Sequence, residues 1–242
     1  MRKHEPSNGN GSTGVADPPP LQAGDRLTRA EFMRRWELHS EIKFAELIGG
    51  IVYMPSPLTR LHGVTDGTVA TWLGTYRAYT PGTESGSNAT TLMEGDEAPQ
   101  PDEYLRILPE LGGRSANEGL YVSGSPELLT EISVSSASID MTQKFELYER
   151  MGVLEYVAIL MYEKEIRWHR LSVSGYKAIA PHADMLWKSK VFPGLWLDGK
   201  AMLANDAAKV LTTLKKGLRS PEHAAFVKKL AKKRSHSRQA LG

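Results

Sequence analysis

The 242-residue sequence has no cysteine. A disulfide framework, thiolate zinc sites and cysteine nucleophiles are therefore excluded, and any metal must be held by oxygen or imidazole ligands. Nor does it contain an apolar run of roughly 18 residues, the minimum for a membrane-spanning helix. Its first residues, Met1-Arg2-Lys3-His4-Glu5-Pro6, lack the apolar stretch of a secretory signal. These absences lead to the expectation of a cytoplasmic protein with no membrane partner. No repeat recurs at a period of roughly 20 to 50 residues, which argues against a solenoid. What is present, 40% hydrophobic residues over this length, is enough for one sizeable soluble domain.

The net charge, +2, is small because two opposite imbalances cancel. From Lys209 onward the chain carries ten of its 30 Lys and Arg residues against the single acid Glu222, which leaves 20 bases and 27 acids before that point. An acidic body thus ends in a basic tail. Such a tail could hold nucleic acid or another polyanion by charge, although a run of lysines on a helix is commonly a solvated face.

Residues 1–24 are rich in Gly, Ser, Asn and Pro without an apolar period, so a disordered leader is expected. Thr28 with Glu31 reads as a capping box, and Leu27 with Phe32 as a hydrophobic staple, opening a helix that ends near Leu38 to Ser40. Phe44 to Ile48 and Ile51 to Met54 flank Gly49-Gly50 as a hairpin carrying Glu46, closed by Pro55-Ser56-Pro57. Arg60 to Tyr79 has a helical period despite Gly63, Gly67 and Gly74. Thr83 to Met93 reads as one polar strand, residues 109–125 as a loop, and Glu155 to Met161 as a strand following a C-cap at Gly152. Residues 166–192 read as three short antiparallel strands. Two helices close the chain: one has Val210, Leu211, Leu214 and Leu218 on a face, and the other starts at Ser220-Pro221, has a thin stripe of Phe226 and Leu230, and frays over 232–242.

The chemistry concentrates between Pro101 and Lys144. Pro101-Asp102-Glu103-Tyr104-Leu105-Arg106-Ile107 and Pro126-Glu127-Leu128-Leu129-Thr130-Glu131-Ile132-Ser133 each read as a strand with one inward acid. Beyond them, Met141, Lys144, Phe145 and Tyr148 share one helical face. Burying the Lys144 ammonium is costly unless charge partners compensate, and two strand-borne carboxylates would be suitable ones. Plainer readings stand beside this. Asp102 could cap a strand entrance, Glu131 and Lys144 could form a structural ion pair, and Lys144 could reach solvent at the helix edge. His62, before Gly63, could be a surface residue, and Tyr148 reads as core.

The ordered set Pro101-Asp102, Glu131-Ile132-Ser133 and Asp140-x-x-x-Lys144 resembles the PD-(D/E)XK nuclease superfamily. Residues 28 to about 203 more narrowly resemble its Uma-type, restriction endonuclease-like branch, through Glu46-Leu47-Ile48-Gly49-Gly50, Pro55-Ser56-Pro57 and His62. The resemblance implies that Asp102 and Glu131 bind a divalent cation, that Lys144 supplies the motif lysine from a helix rather than the strand, and that Glu46 assists. It implies Mg²⁺ as cofactor, Mn²⁺ as a substitute, and DNA as the partner. The chain departs from the branch after Glu131, where Val134-Ser135-Ser136 replaces Ser-Pro-Ser and Ser133 stands where the strand lysine would be. The chemistry of the residues agrees: phosphodiester hydrolysis needs a hard cation on carboxylate oxygens, with the Ile132 carbonyl as a third ligand, and a lysine to hold water and offset developing charge. Glu46 could orient water or bind a second metal, and His62 could contact substrate.

The expected fold is α/β. It is a restriction endonuclease-like core (25–205) with a mixed central sheet flanked by helices, an antiparallel β extension, and a basic helical tail (206–242). The expected function is a metal-dependent DNA endonuclease. Two alternatives stay open: a catalytically inactive nucleic-acid-binding or regulatory module on the same scaffold, and a homo-oligomeric interaction protein. Cutting two strands calls for two sites, which favours a homodimer.

Overall fold

Capping sets the first helix. In the computed structural model of the chain, which describes residues 17–54, 57–134 and 139–240, Thr28 Oγ1 accepts from Glu31 N at 3.3 Å and opens α1 (Arg29–Leu38). The Glu31 carboxylate pairs with Arg34 and Arg35 at 2.8 and 2.6 Å instead of completing the expected box. β1 (Glu46–Ile48) and β2 (Ile51–Tyr53) form the hairpin, with Gly49 and Gly50 both at the positive φ that a two-residue turn demands. Pro55 and Ser56 lie outside the described residues. Leu47, Val52, Phe32, Leu92 and Ala98 form a small core between hairpin and helix. Leu21 is buried in that core, Gly24 N donates to Val52 O at 2.8 Å, and the Pro18 carbonyl meets His39 Nε2 at 2.9 Å. Residues 17–24 are therefore docked, contrary to the expectation for the leader. One apolar side chain among prolines and glycines leaves no period to read.

α2 (Arg60–Tyr79) is continuous because Gly63 and Gly67 fall on its exposed side, leaving Val69, Trp72, Leu73 and Tyr76 buried. The polar strand expected next divides into β3 (Thr83–Ser87) and β4 (Thr91–Leu92), because Asn88 takes a left-handed φ of 49°. β5 (Glu103–Ile107) follows. The expected loop 109–125 contains β6 (Ala116–Glu118) and β7 (Tyr121–Ser123), which pair with β4 in a small sheet. Three-residue strands are too short to show alternation.

β8 (Leu128–Ser133), α3 (Ile139–Arg150) and β9 (Glu155–Leu160) form the one parallel crossover of the main sheet; β10 (Glu165–Ser172) and β11 (Gly175–Ala178) extend its edge. The sheet order is β11-β10-β9-β8-β5-β3. Residues 166–192 do not stay in one antiparallel section, since β12 (Leu186–Lys188) leaves to pair with β13 (Trp196–Asp198). α4 (Gly199–Leu203), α5 (Ala207–Leu218) and α6 (Pro221–Ala240) complete the chain.

Both faces of the sheet are covered, so β8 is buried at every position. Strand alternation sends Leu128 and Ile132 into the core under α2, and Leu129 into the core under α3 beside Leu147 and Tyr148. Glu131 lies on the α3 side. The expected tail is not peripheral: Val210 and Leu214 of α5 sit in the α2 core, and α6 docks through His223, Phe226 and Leu230. α6 runs to Ala240 without the fraying expected from residue 232. Among the described residues no helix is long and apolar enough to cross a membrane.

Candidate active site

β5 and β8 pair as Leu105 with Leu128, Tyr104 with Leu129 and Glu103 with Thr130. One more step would set Asp102 opposite Glu131, but the ladder stops there. Ile132 N instead donates to Asp102 Oδ2 at 2.7 Å, so the aspartate closes the fork and receives a buried N–H that would otherwise lack a partner. The fork thus brings two carboxylates from different strands to one side of the sheet.

α3 delivers the cation. Lys144 Nζ lies 3.1 Å from Glu131 Oε2 and 2.9 Å from Glu46 Oε1, and one turn later Tyr148 donates its hydroxyl to Glu131 Oε1 at 2.6 Å. Glu46 Oε1 also accepts from Gln100 N at 2.7 Å, which ties the hairpin to the segment entering β5. Glu46, Glu131 and Lys144 are thus brought into direct contact, with Asp102 across the fork. Tyr148 is core, as expected, but its hydroxyl also serves Glu131; a polar tip on an apolar helical face was the available signal. Burial opposes the Lys144 ammonium, yet Glu131, Glu46 and Asp102 outweigh it and hold the amine well above its ordinary range. Burial pushes Glu131 up, against the pull of Lys144.

His62 stands in the first turn of α2 with Nε2 3.4 Å from Asp102 Oδ1. The hydrogen bond to Asp102 raises its pKa against the effect of burial. It is a buried residue of the site rather than a surface loop residue, and its Nδ1 is buried without a hydrogen-bond partner among the described residues. Two acids that the sequence did not bring forward complete the neighbourhood. Asp66, one turn after His62, has Oδ1 buried without a hydrogen-bond partner among the described residues, and burial and Asp102 raise its pKa. Glu103, turned to the opposite face from Asp102 by strand alternation, accepts from Ser87 and is pushed up by burial to about 8. The i to i+4 spacing of His62 and Asp66 was the signal for the first; for the second it was an acid opening an apolar strand.

Other buried carboxylates show what structural use looks like in this fold. Glu127 accepts from Ile107 N and Arg114 N, each at 2.8 Å, while Glu155 accepts from Ser189 Oγ at 2.6 Å and Lys190 N at 2.7 Å. Both anchor loops through backbone or hydroxyl donors. At the fork Asp102 and Glu46 also accept backbone N–H groups, but they stand together with Glu131 beside a single ammonium.

Among the described residues no three Asp, Glu, His or Cys side chains form a ready-made metal cluster. The donor set nevertheless suits a hard cation: Asp102 and Glu131 offer carboxylate oxygens, and the Ile132 carbonyl is a third candidate. Acids outnumber bases, since Asp102, Glu131, Glu46 and Asp66 stand against Lys144 and His62. The raised pKa values of Glu131, Asp66 and Glu103 express that excess together with burial. A divalent cation would relieve it.

Residues 29–200 match the family described as "Uma2: Putative restriction endonuclease". The chain belongs to that family. The matched span contains Glu46, His62, Asp102, Glu131 and Lys144. A solved structure described as a putative nuclease belonging to DUF820, from Anabaena variabilis ATCC 29413, is similar in fold, with a TM-score of 0.53 over 66% of this chain and 90% of that one at 14% identity. Among curated proteins none matches. The matched span holds the mixed sheet and its flanking helices; α5 and α6 lie beyond it.

Proposed function

We propose that this Uma2 protein is a divalent-metal-dependent endonuclease that hydrolyses phosphodiester bonds in DNA. The observation that carries the proposal is the gathering of Asp102, Glu131 and Glu46 about Lys144 where β5 and β8 part. A structural ion pair needs one carboxylate. Grouping several like charges raises the cost of burial, which is the arrangement expected where charge must be met from outside.

Asp102 and Glu131, with the Ile132 carbonyl, would hold Mg²⁺, or Mn²⁺ in its place, and the bound ion supplies polarisation of a phosphoryl oxygen and activation of water. Tyr148 fixes the rotamer of Glu131, and the Ile132 amide fixes that of Asp102. Lys144 puts a full positive charge beside those ligands, where it can orient the attacking water and offset negative charge on the phosphoryl group. Glu46 holds the Lys144 ammonium and can orient water. His62, kept prone to protonation by Asp102, can contact a substrate phosphate. A homodimer would present the two such sites that double-strand cutting needs.

Incubating supercoiled plasmid with the protein in Mg²⁺, Mn²⁺ or EDTA tests this, with Glu131→Gln as control. Nicked and linear DNA should form in either metal, and neither in EDTA nor with the variant. Binding without cleavage in both metals would assign the chain to a non-catalytic DNA-binding module. Absence of both DNA and metal binding would remove the nuclease proposal altogether.

A further inference from the structure

A nuclease must hold a polyanion, yet the Uma2 domain of this chain is acidic, with 17 Lys and Arg against 23 Asp and Glu in residues 29–200. The missing positive charge lies beyond it, on α5 and α6. Lys215, Lys216 and Arg219, then Lys228, Lys229 and Lys232, are exposed. None of the six has an ion-pair partner among the described residues, and unlike the scattered unpaired bases of the domain, such as Arg60, Lys177 and Lys190, they cluster on two successive helices. A solvated lysine face on a helix usually carries interspersed acids; α6 has one, Glu222 in its first turn.

α6 is also firmly placed. His223 Nε2 meets Thr80 Oγ1 at 2.9 Å, Leu230 is buried beside Gly82, and Lys233 Nζ donates to Leu111 O at 2.8 Å. These contacts fix the helix at the C-terminal end of α2, while His62 and the fork lie at its N-terminal end. From His62 to Thr80 the helix spans about 27 Å. The α6 bases that flank Leu230 are therefore anchored near the C-terminal end of α2 rather than at the fork.

Building on the nuclease reading, we propose that α6, with the end of α5, is a second, sequence-independent phosphate-backbone site that grips duplex DNA away from the bond being cut. Its exposed bases are interleaved with alanine and serine rather than aromatic or large apolar side chains, which suits a duplex backbone better than stacked single strands or lipid. It works by charge, through counterion release.

The test compares the parent with Lys228→Gln/Lys229→Gln/Lys232→Gln, changes on an exposed helix face away from the fork. Binding to a 30-base-pair duplex of arbitrary sequence is titrated over a range of salt in Ca²⁺, alongside plasmid cleavage in Mg²⁺. The variant should melt like the parent, and the slope of log affinity against log salt should fall by about 3, one for each lost phosphate contact. The weakening should be the same for unrelated sequences, and the parent's protected region should extend to one side of the fork-bound phosphate, an extension the variant loses. An unchanged slope in a variant of a parent that binds and cuts DNA would overturn the α6 site and leave the nuclease reading standing. A slope that falls as expected in a parent that cuts with no metal would keep the α6 site and remove the catalytic reading. A parent that binds no duplex at low salt would overturn both.

Discussion

Replacing Lys144 with methionine separates a catalytic fork from a structural ion pair, and the structure sets the size of the effect. Methionine preserves the stem that packs on the α3 side of the sheet but deletes the ammonium 3.1 Å from Glu131 and 2.9 Å from Glu46. Among the described residues Glu131, 4% exposed, is then left with the Tyr148 hydroxyl at 2.6 Å. Stranding a buried charge in this way costs about 3 to 5 kcal/mol, or about 10 °C in melting temperature for a chain of this size. Because burial already pushes Glu131 up, the variant should escape part of the cost by taking up a proton, so the loss should be largest at alkaline pH and shrink as pH falls. Destabilisation without metal is therefore expected whether Lys144 is catalytic or only structural. The discriminating measurement is a melt with and without Mg²⁺. On the nuclease reading a cation at Asp102 and Glu131 replaces the missing positive charge, so millimolar Mg²⁺ should recover much of the lost stability while cleavage stays down by about 10² or more. An equal loss with and without Mg²⁺, in a parent whose own melt ignores the metal, would refute the metal assignment and return Lys144 to the scaffold.

Asp102→Asn should abolish the Mg²⁺-dependent rise in melting temperature while leaving apo stability equal or higher, since the amide oxygen can still accept from Ile132 N and one crowded charge is gone; a surviving metal effect would exclude Asp102 as a ligand. Glu103 ionises near its ordinary 4.5 in the unfolded chain but near 8 when folded, so the native state holds the extra proton in between, and stability should fall as pH rises from 4.5 to about 8. Glu103→Gln should remove that slope, worth on the order of 2 to 4 kcal/mol; identical pH profiles would show that water reaches the carboxyl. Leu21→Ala should cost about 2 to 3 kcal/mol in a denaturant melt, whereas a change under about 0.5 kcal/mol would mean that residues 17–24 contribute little.

The acids and the lysine were legible in the sequence because each violates its surroundings: Glu131 in an apolar strand, Lys144 on an apolar helical face, Asp102 at a strand entrance. Their grouping followed from the cost of burying Lys144 and from the family resemblance, but the geometry that makes it was not legible, because it depends on where a ladder stops, and nothing local in Thr130-Glu131-Ile132 states that β5 ends at Glu103. Glu46 is a surface-like acid in a hairpin until Gln100 N and Lys144 are seen to converge on it. Elements with a long period, α1, α2, β8 and β9, were read close to their observed bounds. β6, β7 and β13 were missed because three residues carry no alternation, and the single strand from Thr83 to Met93 failed at Asn88, whose left-handed backbone a strand cannot absorb. The length of α6 was underestimated because its stability comes from His223, Leu230 and Lys233 docking on distant loops rather than from its own apolar stripe.

With Lys144 on α3 and Ser133 at the strand position, the ammonium is held by a separate element whose packing must position it. Leu147 and Tyr148, three and four residues further on, are locked into the core with Leu129 and Tyr156, so the α3 helix cannot shift without disturbing the sheet. Glu46 is held differently. Its strand neighbour Leu47 lies in the small core with Leu21, Phe32 and Val52, and its carboxylate reaches across to Gln100 and Lys144. The N-terminal layer thus bears on the fork through one side chain. Loosening that layer, as at Leu21, should weaken the Glu46 contact before it disturbs Asp102 and Glu131, which belong to the central sheet. Loosening α3 should reach the lysine and Glu131 together.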